Sequence, residues 1–460
     1  MRNFSVLAIL ATALASVATA HPATQEPLLF DVSNPNNISI ELFAELEELS
    51  RIVDISYCVG TTGISRPFSC ASRCDEFPNF ELVDTFNTGP LMSDSCGYIV
   101  IDHGKERFGR PKRQRVIAAF RGTYSIANTI VDLSTVPQEY EPYPDSPDNT
   151  TSPTQPPSMP RENRRHRFLD LIPRPGFLRS KEAEMGTEEE PTPKPKCQNC
   201  TVHTGFWTSW QNTRPFIVPH LEYLREKYPD HELHLVGHSL GGAVAALAGL
   251  EFEGKGWHPH ITTFGEPRVG NSGLRNWIDS TFSLPSEHAP SGDKHALYAG
   301  RYRRVTHVDD PVPLLPLQEW GYRAHAGEVF ISKASLQPTV SDIRLCYGDE
   351  DVSCIAGAEV DESWFNAVAN DPEKAFELEV TEEISGKENF NGESYESIVA
   401  MEKRWGIPIP ARYKIWQLFF AHRDYFWRLG LCVPGGDPLD WGRDRYDFGN
   451  GEGEEGREEL

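Results

Sequence analysis

The chain has 460 residues, a globular composition and a formal net charge of −23 at neutral pH. That length can bury a substantial core and permits one large domain or two or three ordinary ones. The charge argues against a nucleic-acid partner and against electrostatic attraction to an acidic membrane, and much of it lies near the C-terminus, where a solvated acidic tail is the default expectation.

Residues Met1 to Ala20 combine Arg2, an apolar run from Phe4 to Ala18, and the small residues Ala18-Thr19-Ala20 ahead of His21. This is the pattern of a secretory signal peptide over residues 1–20, and its apolar stretch is too short for a spanning helix. No later segment is apolar enough to cross a bilayer, so an exported chain without transmembrane segments is expected. Nine cysteines suit that compartment as a disulfide set with one left over. Cys70 and Cys74 are close enough in sequence to pair, as are Cys197 with Cys200 and Cys346 with Cys354. Cys58 and Cys432 lie at opposite ends of the domain and could clamp the termini together. Cys96, ahead of the strand-like Gly97 to Ile101, reads as a buried thiol. Cys197-Gln-Asn-Cys200 is a weak metal or redox motif, because no second ligand pair follows at zinc spacing. No metal or organic cofactor is implied. Sequons at Asn37, Asn149 and Asn199 permit glycosylation.

In chain order, Ile38 to Tyr57 has the spacing of an amphipathic helix capped by Asn37 or Ser39, with an apolar face suited to packing on a sheet. Cys58 to Asp84 is rich in turn residues and is expected to be irregular, held by a local disulfide. Strands follow at Gly97 to Asp102 and Arg115 to Phe120, joined by a basic hairpin-like connection through Gly109 and Pro111. After Arg121-Gly-Thr123, apolar residues recur at Ile126, Ile130 and Leu133 with helical spacing. From Tyr140 to Lys196 the composition turns to Pro, Ser, Thr and clustered charge, which cannot bury a core and reads as a disordered insertion. Order resumes with a helix from Asn212 to Tyr228, a strand from Glu232, a strand at Ile261 to Phe264, a helix from Ser272 to Phe282, and strands at Tyr302 to Val308 and Val329 to Ser332. Alternating strands and helices imply a mostly parallel sheet with helices on both faces. One domain over 21–433 is therefore expected, with the insertion at about 140–196, an acidic helical or irregular elaboration at about 342–406, and a disordered acidic tail over 434–460.

The stretch that carries chemistry runs from Glu232 to Ala248. A short apolar run alternating with histidine enters Gly237-His-Ser-Leu-Gly-Gly242 and leaves as a small-residue helix. A serine at such a strand–turn–helix elbow is held in a strained conformation with its hydroxyl exposed, and the helix N-terminus presents N–H groups to negative charge on an attacked carbonyl. Ser239 is the candidate nucleophile and the Leu240 N–H a candidate oxyanion donor. Thr123 lies where a strand-to-helix loop could supply a second donor, although an ordinary helix cap has the same signature. A serine needs a base, and the base needs an orienting carboxylate, arriving on this kind of sheet in the order serine, acid, histidine. Asp309 and Asp310 both sit at a strand end after Ser239. Pro311 fixes the chain after Asp310 and favours it, but the choice between the two rests chiefly on the family resemblance given below. His325 precedes the last strand and comes too early, which leaves His422; His238 is expected to point sideways into the packing around the elbow.

Together these segments resemble the secreted class 3 lipases of filamentous fungi, a family that includes feruloyl esterases. The likeness covers most of 38–335 and 411–433. It rests on Tyr57-Cys58, Phe120-Arg-Gly-Thr with Ser125-Ile-Ala-Asn, Cys197-Gln-Asn-Cys200 before His203-Thr-Gly-Phe, and Gly237-His-Ser-Leu-Gly-Gly242. It continues in Thr263-Phe-Gly-Glu-Pro-Arg-Val-Gly-Asn271, Val305-Thr-His-Val-Asp-Asp-Pro-Val-Pro, and His422 followed by Tyr425-Phe426 and Cys432. The resemblance implies an α/β-hydrolase fold, Ser239, Asp310 and His422 as the triad, and Thr123 and Leu240 as oxyanion donors. It also implies a hinged lid over Ser125 to Leu133, including Ile126, Ile130 and Val131, and a Cys58–Cys432 disulfide. Thr129 stands where such lipases usually have tryptophan. The implied activity is hydrolysis of acylglycerols at an oil–water interface through an acyl-enzyme. A feruloyl or other short-ester esterase and a phospholipase share the chemistry, and a non-catalytic lipid-binding protein could share the fold.

Overall fold

The computed structural model describes residues 38–89, 95–104, 113–122, 137–142, 197–284, 300–355, 421–443 and 446. The expected signal peptide, the sequons at Asn37 and Asn149, Thr123 and the expected lid lie outside them. So do the 143–196 part of the insertion, 356–406 of the acidic elaboration, and the end of the tail.

Eight strands form the main sheet: β1 (Phe80–Asn87), β2 (Cys96–Asp102), β3 (Arg115–Phe120), β4 (Glu232–His238), β5 (His260–Phe264), β6 (Tyr302–His307), β7 (Glu328–Ile331) and β8 (Ile343–Leu345). They lie side by side in sequence order. The run from β3 to β7 is parallel, and β1, β2 and β8 are antiparallel additions at the two edges. The two-residue alternation of a strand divides the core. Tyr98, Val100, Ile117 and Ala119 join Phe43, Leu46 and Leu49 of α1 (Ile40–Ile55) on one face. Ile99, Ile101, Val116, Ala118 and Phe120 meet α2 (Thr204–Lys227), α3 (Leu240–Gly254) and α4 (Ser272–Phe282) on the other, through residues such as Trp210, Leu247 and Ile278. Ser39 caps α1, its hydroxyl accepting the Leu42 N–H at 3.1 Å.

Three expectations are corrected. The stretch expected to be irregular to Asp84 becomes strand at Phe80; a register shift between Leu82 and Asp84 breaks its alternation and hides the strand from a period-two reading. The helix expected from Asn212 begins at Thr204 and contains Pro215 and Pro219, because His203 caps it and Phe206 and Trp210 bury its first turns. The acidic stretch from Asp342 opens with β8, which adds antiparallel to β7, rather than with helix or irregular chain. All four expected disulfides are present: Cys58–Cys432, Cys70–Cys74, Cys197–Cys200 and Cys346–Cys354. Cys96 is a buried free thiol.

The C-terminal segment is strapped onto α1. Besides the Cys58–Cys432 bridge, Trp427 Nε1 donates to Glu47 Oε1 at 2.7 Å and the Gly430 N–H donates to Asp54 Oδ1 at 2.7 Å. Asp54 is fully buried, and burial pushes its carboxyl up to about 7, although Arg73 and the Gly430 N–H oppose the shift. Between the ordinary carboxylate range and about 7 the folded chain holds a proton that the unfolded chain has lost. Stability from this group is thus full in acid and falls as pH rises through that window. Asp54→Asn keeps an acceptor for Gly430 and cannot ionise, so its urea midpoint should fall less than that of the wild type between pH of about 5 and about 8. Parallel midpoint curves for the two proteins would refute this.

Candidate active site

The elbow forms where β4 ends and α3 begins. Ser239 sits between them at φ 58° and ψ −130°, a region that a residue with a Cβ rarely enters. Its flanking glycines are a steric requirement. A Cβ on Gly237 would lie 2.2 Å from the Gly241 carbonyl oxygen, and one on Gly241 would lie 2.3 Å from that of Phe120. Strand and helix pass this closely only without side chains, and the backbone strain is thereby held in place. The Ser239 N–H is fixed to the Phe264 carbonyl at 2.9 Å, tying the elbow to the end of β5. Leu240 opens α3, so its N–H has no acceptor within the helix and points into the turn region. Gly122, at the end of β3, abuts the serine: a Cβ there would lie 2.8 Å from Ser239 Cβ. The loop that follows Gly122 therefore starts beside the nucleophile, which is where the sequence put its second oxyanion donor, although Thr123 itself is outside the described residues.

Asp310 follows β6, and His422 comes from the C-terminal segment. His422 Nδ1 lies 2.9 Å and 2.8 Å from the two carboxylate oxygens of Asp310, and both side chains are fully buried. The carboxylate also accepts the Val312 N–H at 2.9 Å and the Tyr425 hydroxyl. Burial alone would raise Asp310, but the His422 ring and these donors outweigh it and hold the carboxyl below its ordinary range. Asp310 is thus an anion that fixes the proton of His422 on Nδ1, leaving the Nε2 lone pair for a substrate or nucleophile. Among the described residues, neither His422 Nε2 nor Ser239 Oγ has a hydrogen-bond partner, although both are buried. Asp309, the alternative acid, is half-buried, and its N–H donates to His307 Nδ1 at 3.4 Å.

His238 locks the histidine to the elbow. Its Nε2 lies 2.8 Å from the His422 carbonyl, which can only accept, so Nε2 carries the proton and Nδ1 accepts from the Tyr57 hydroxyl at 2.5 Å. Burial, with His422 beside it, pushes His238 down to about 3, so it stays neutral. Its ring stacks on His422 with centroids 4.6 Å apart. Since His238 immediately precedes Ser239, this contact brings His422 to the strand end that carries Ser239. Gly265 completes the arrangement at φ 58°: a Cβ there would meet Tyr425 Oη at 2.6 Å, His422 Cε1 at 2.7 Å and Asp310 Oδ2 at 2.8 Å.

His325 is elsewhere, buried with Nε2 3.0 Å from Glu266 Oε1, so its exclusion from the site agrees with its position. The sequence reading missed the hydrogen bonds of Tyr57 and Tyr425, and no local pattern marks them. Asn199 lies exposed in a turn. Two buried groups without partners, one an alcohol and one an imidazole held by a carboxylate, are what acyl transfer to serine requires.

The class 3 lipase family model matches residues 176–320. The secreted mono- and diacylglycerol lipase 2 of Gibberella zeae is 48% identical over 421 residues, covering 90% of this chain and 87% of the relative. Lipase A of Sodiomyces alcalophilus is 46% identical over 447 residues, covering 95% and 92%. Among solved structures, the Lip2 lipase of Yarrowia lipolytica is similar with a TM-score of 0.56 at 25% identity, covering 86% of this chain and 97% of that one. The chain belongs to the class 3 lipase family, and it is a secreted ester hydrolase on the α/β-hydrolase fold.

Proposed function

We propose that Ser239, Asp310 and His422 form the catalytic triad of a lipase that cleaves mono- and diacylglycerols. The observation that carries this reading is the buried Asp310–His422 pair, whose free Nε2 belongs to a ring stacked on the residue preceding an unpartnered elbow serine. His422 Nε2 takes the Ser239 proton as Oγ attacks the acyl carbonyl. The carbonyl oxygen becomes an oxyanion that accepts the Leu240 N–H, with Thr123 as the second donor. As the ester bond breaks, the imidazolium returns the proton to the leaving glyceride oxygen. Water then attacks the acyl-enzyme by the same route and frees the fatty acid. By the family resemblance the segment Ser125 to Leu133, outside the described residues, supplies the lid, and the apolar Ile126, Ile130, Val131 and Leu133 favour a lipid surface.

The preference for partial glycerides is supported by the Gibberella zeae relative, whose name states it. A panel of dispersed mono-, di- and triacylglycerols, soluble short esters, methyl ferulate and a phospholipid tests the substrate class. Turnover should be highest on mono- and diacylglycerols and should rise once the substrate passes its solubility limit. Cleavage confined to methyl ferulate or to soluble short esters would overturn the lipase substrate while leaving the triad intact.

A further inference from the structure

We propose that Glu232, His234 and His260 form a zinc site at the N-terminal end of the sheet, on the face covered by α1. His234 on β4 and His260 on β5 are direct neighbours in the parallel register, and Glu232 lies two residues before His234 on the same face. The two rings stack with centroids 4.8 Å apart and planes 13° from parallel. Glu232 Oε2 lies 3.2 Å from His234 Nε2, and one ligand atom from each of the three residues falls within 4.8 Å of the others.

Two imidazoles and a carboxylate are a zinc donor set that leaves a fourth position for water. Ligands about 2.0–2.2 Å from a tetrahedral metal are about 3.3–3.5 Å apart, so the set must contract by about 1 Å. His234 is buried and fixed, so half-buried His260 must turn out of the stack to aim its in-plane lone pair at the ion, and half-buried Glu232 turns with it. The alternative is a purely structural cluster, with the carboxylate held between His234 and Arg113, whose NH2 is 3.0 Å from Glu232. That account leaves His260 unexplained, because its ring makes no hydrogen bond among the described residues. Arg113 is mostly exposed and free to swing out when a cation enters. Arg303 also bears on the cluster, but its charge is met by Glu45 at 3.3 Å.

The site is far from the chemistry. Seven residues of strand separate Glu232 from Ser239, roughly 20 Å at about 3.3 Å per residue. Zinc here clamps two neighbouring strands, the first of which carries the nucleophile at its other end. It therefore acts on stability and not on the catalytic step.

The full secreted chain, stripped with EDTA and titrated calorimetrically with zinc chloride, should bind one ion per chain with a Kd on the order of micromolar or tighter. Its thermal midpoint should rise as zinc is added. Glu232→Gln and His260→Gln change half-buried side chains and should keep the native circular dichroism and ester hydrolysis. Each should weaken zinc binding by about 100-fold or more and abolish the thermal shift. No zinc binding by the wild type overturns the proposal. Binding of equal affinity in both variants also overturns it, because the metal then sits elsewhere on this acidic chain.

Discussion

Ser239→Ala should lower turnover by about 10⁵-fold or more while leaving the protein at least as stable as the wild type. The loss is large because the triad acts as a unit. Without Oγ the imidazole has no proton to take, and what survives is the contribution of the oxyanion donors and of substrate binding. The stability half of the prediction comes from this chain's own geometry. Ser239 Oγ is buried and has no hydrogen-bond partner among the described residues, so it is desolvated in the fold without compensation. Removing it deletes no hydrogen bond among the described residues, and alanine keeps the Cβ already accommodated at φ 58°. A gain of about 1 kcal/mol in unfolding free energy is expected, read from urea denaturation beside initial rates on an emulsified diacylglycerol. Fluorophosphonate labelling should disappear in the variant. Wild-type turnover with the alanine would remove Ser239 from the reaction. A variant that loses both activity and stability would show that the hydroxyl has a structural partner.

Much of this site was legible in the sequence because its parts obey local rules. The elbow needs glycines on both sides of the serine, and that requirement is written in Gly237 to Gly242. The strands β2 and β3 are largely apolar runs of ordinary length. Ordering along the chain reached His422 and narrowed the acid to Asp309 or Asp310, and the choice of Asp310 rested chiefly on the family resemblance. What escaped was non-local or masked by irregularity. Tyr57 and His238 are 181 residues apart, and nothing in either segment announces the bond between them. Tyr425 and Asp310 are 115 residues apart, and their bond is equally unannounced in either segment. The bulge in β1 shifts its register after Leu82, so Phe80 and Leu82 pack in one core and Val83 and Phe86 in the other, which erases the alternation that identifies a strand. In α2 the start expected at Asn212 fell late, because burial of Phe206 and Trp210 extends the helix back to Thr204 against local propensity.

Gly265→Ala should cost about 10²-fold or more in kcat, and a second glycine shows how to separate the cause from general damage. The added methyl would stand 2.6–2.8 Å from Tyr425 Oη, His422 Cε1 and Asp310 Oδ2, where ordinary contacts begin near 3.4 Å. Those three atoms belong to the acid, the base and the tyrosine that holds the acid, so any relief moves the pair by the better part of an ångström. Displacements of about 1 Å in a reacting constellation are worth about 10²-fold. The alanine also carries a backbone penalty of about 1 kcal/mol for its left-handed φ, which by itself would lower stability and not kcat. Gly256 supplies the control: it has φ 70°, but a Cβ there meets nothing within 4 Å. Gly256→Ala should therefore lower the thermal midpoint with kcat unchanged, whereas Gly265→Ala should lower both. Equal kcat in the two variants would mean that the room around Gly265 is not what keeps the acid and the base in register.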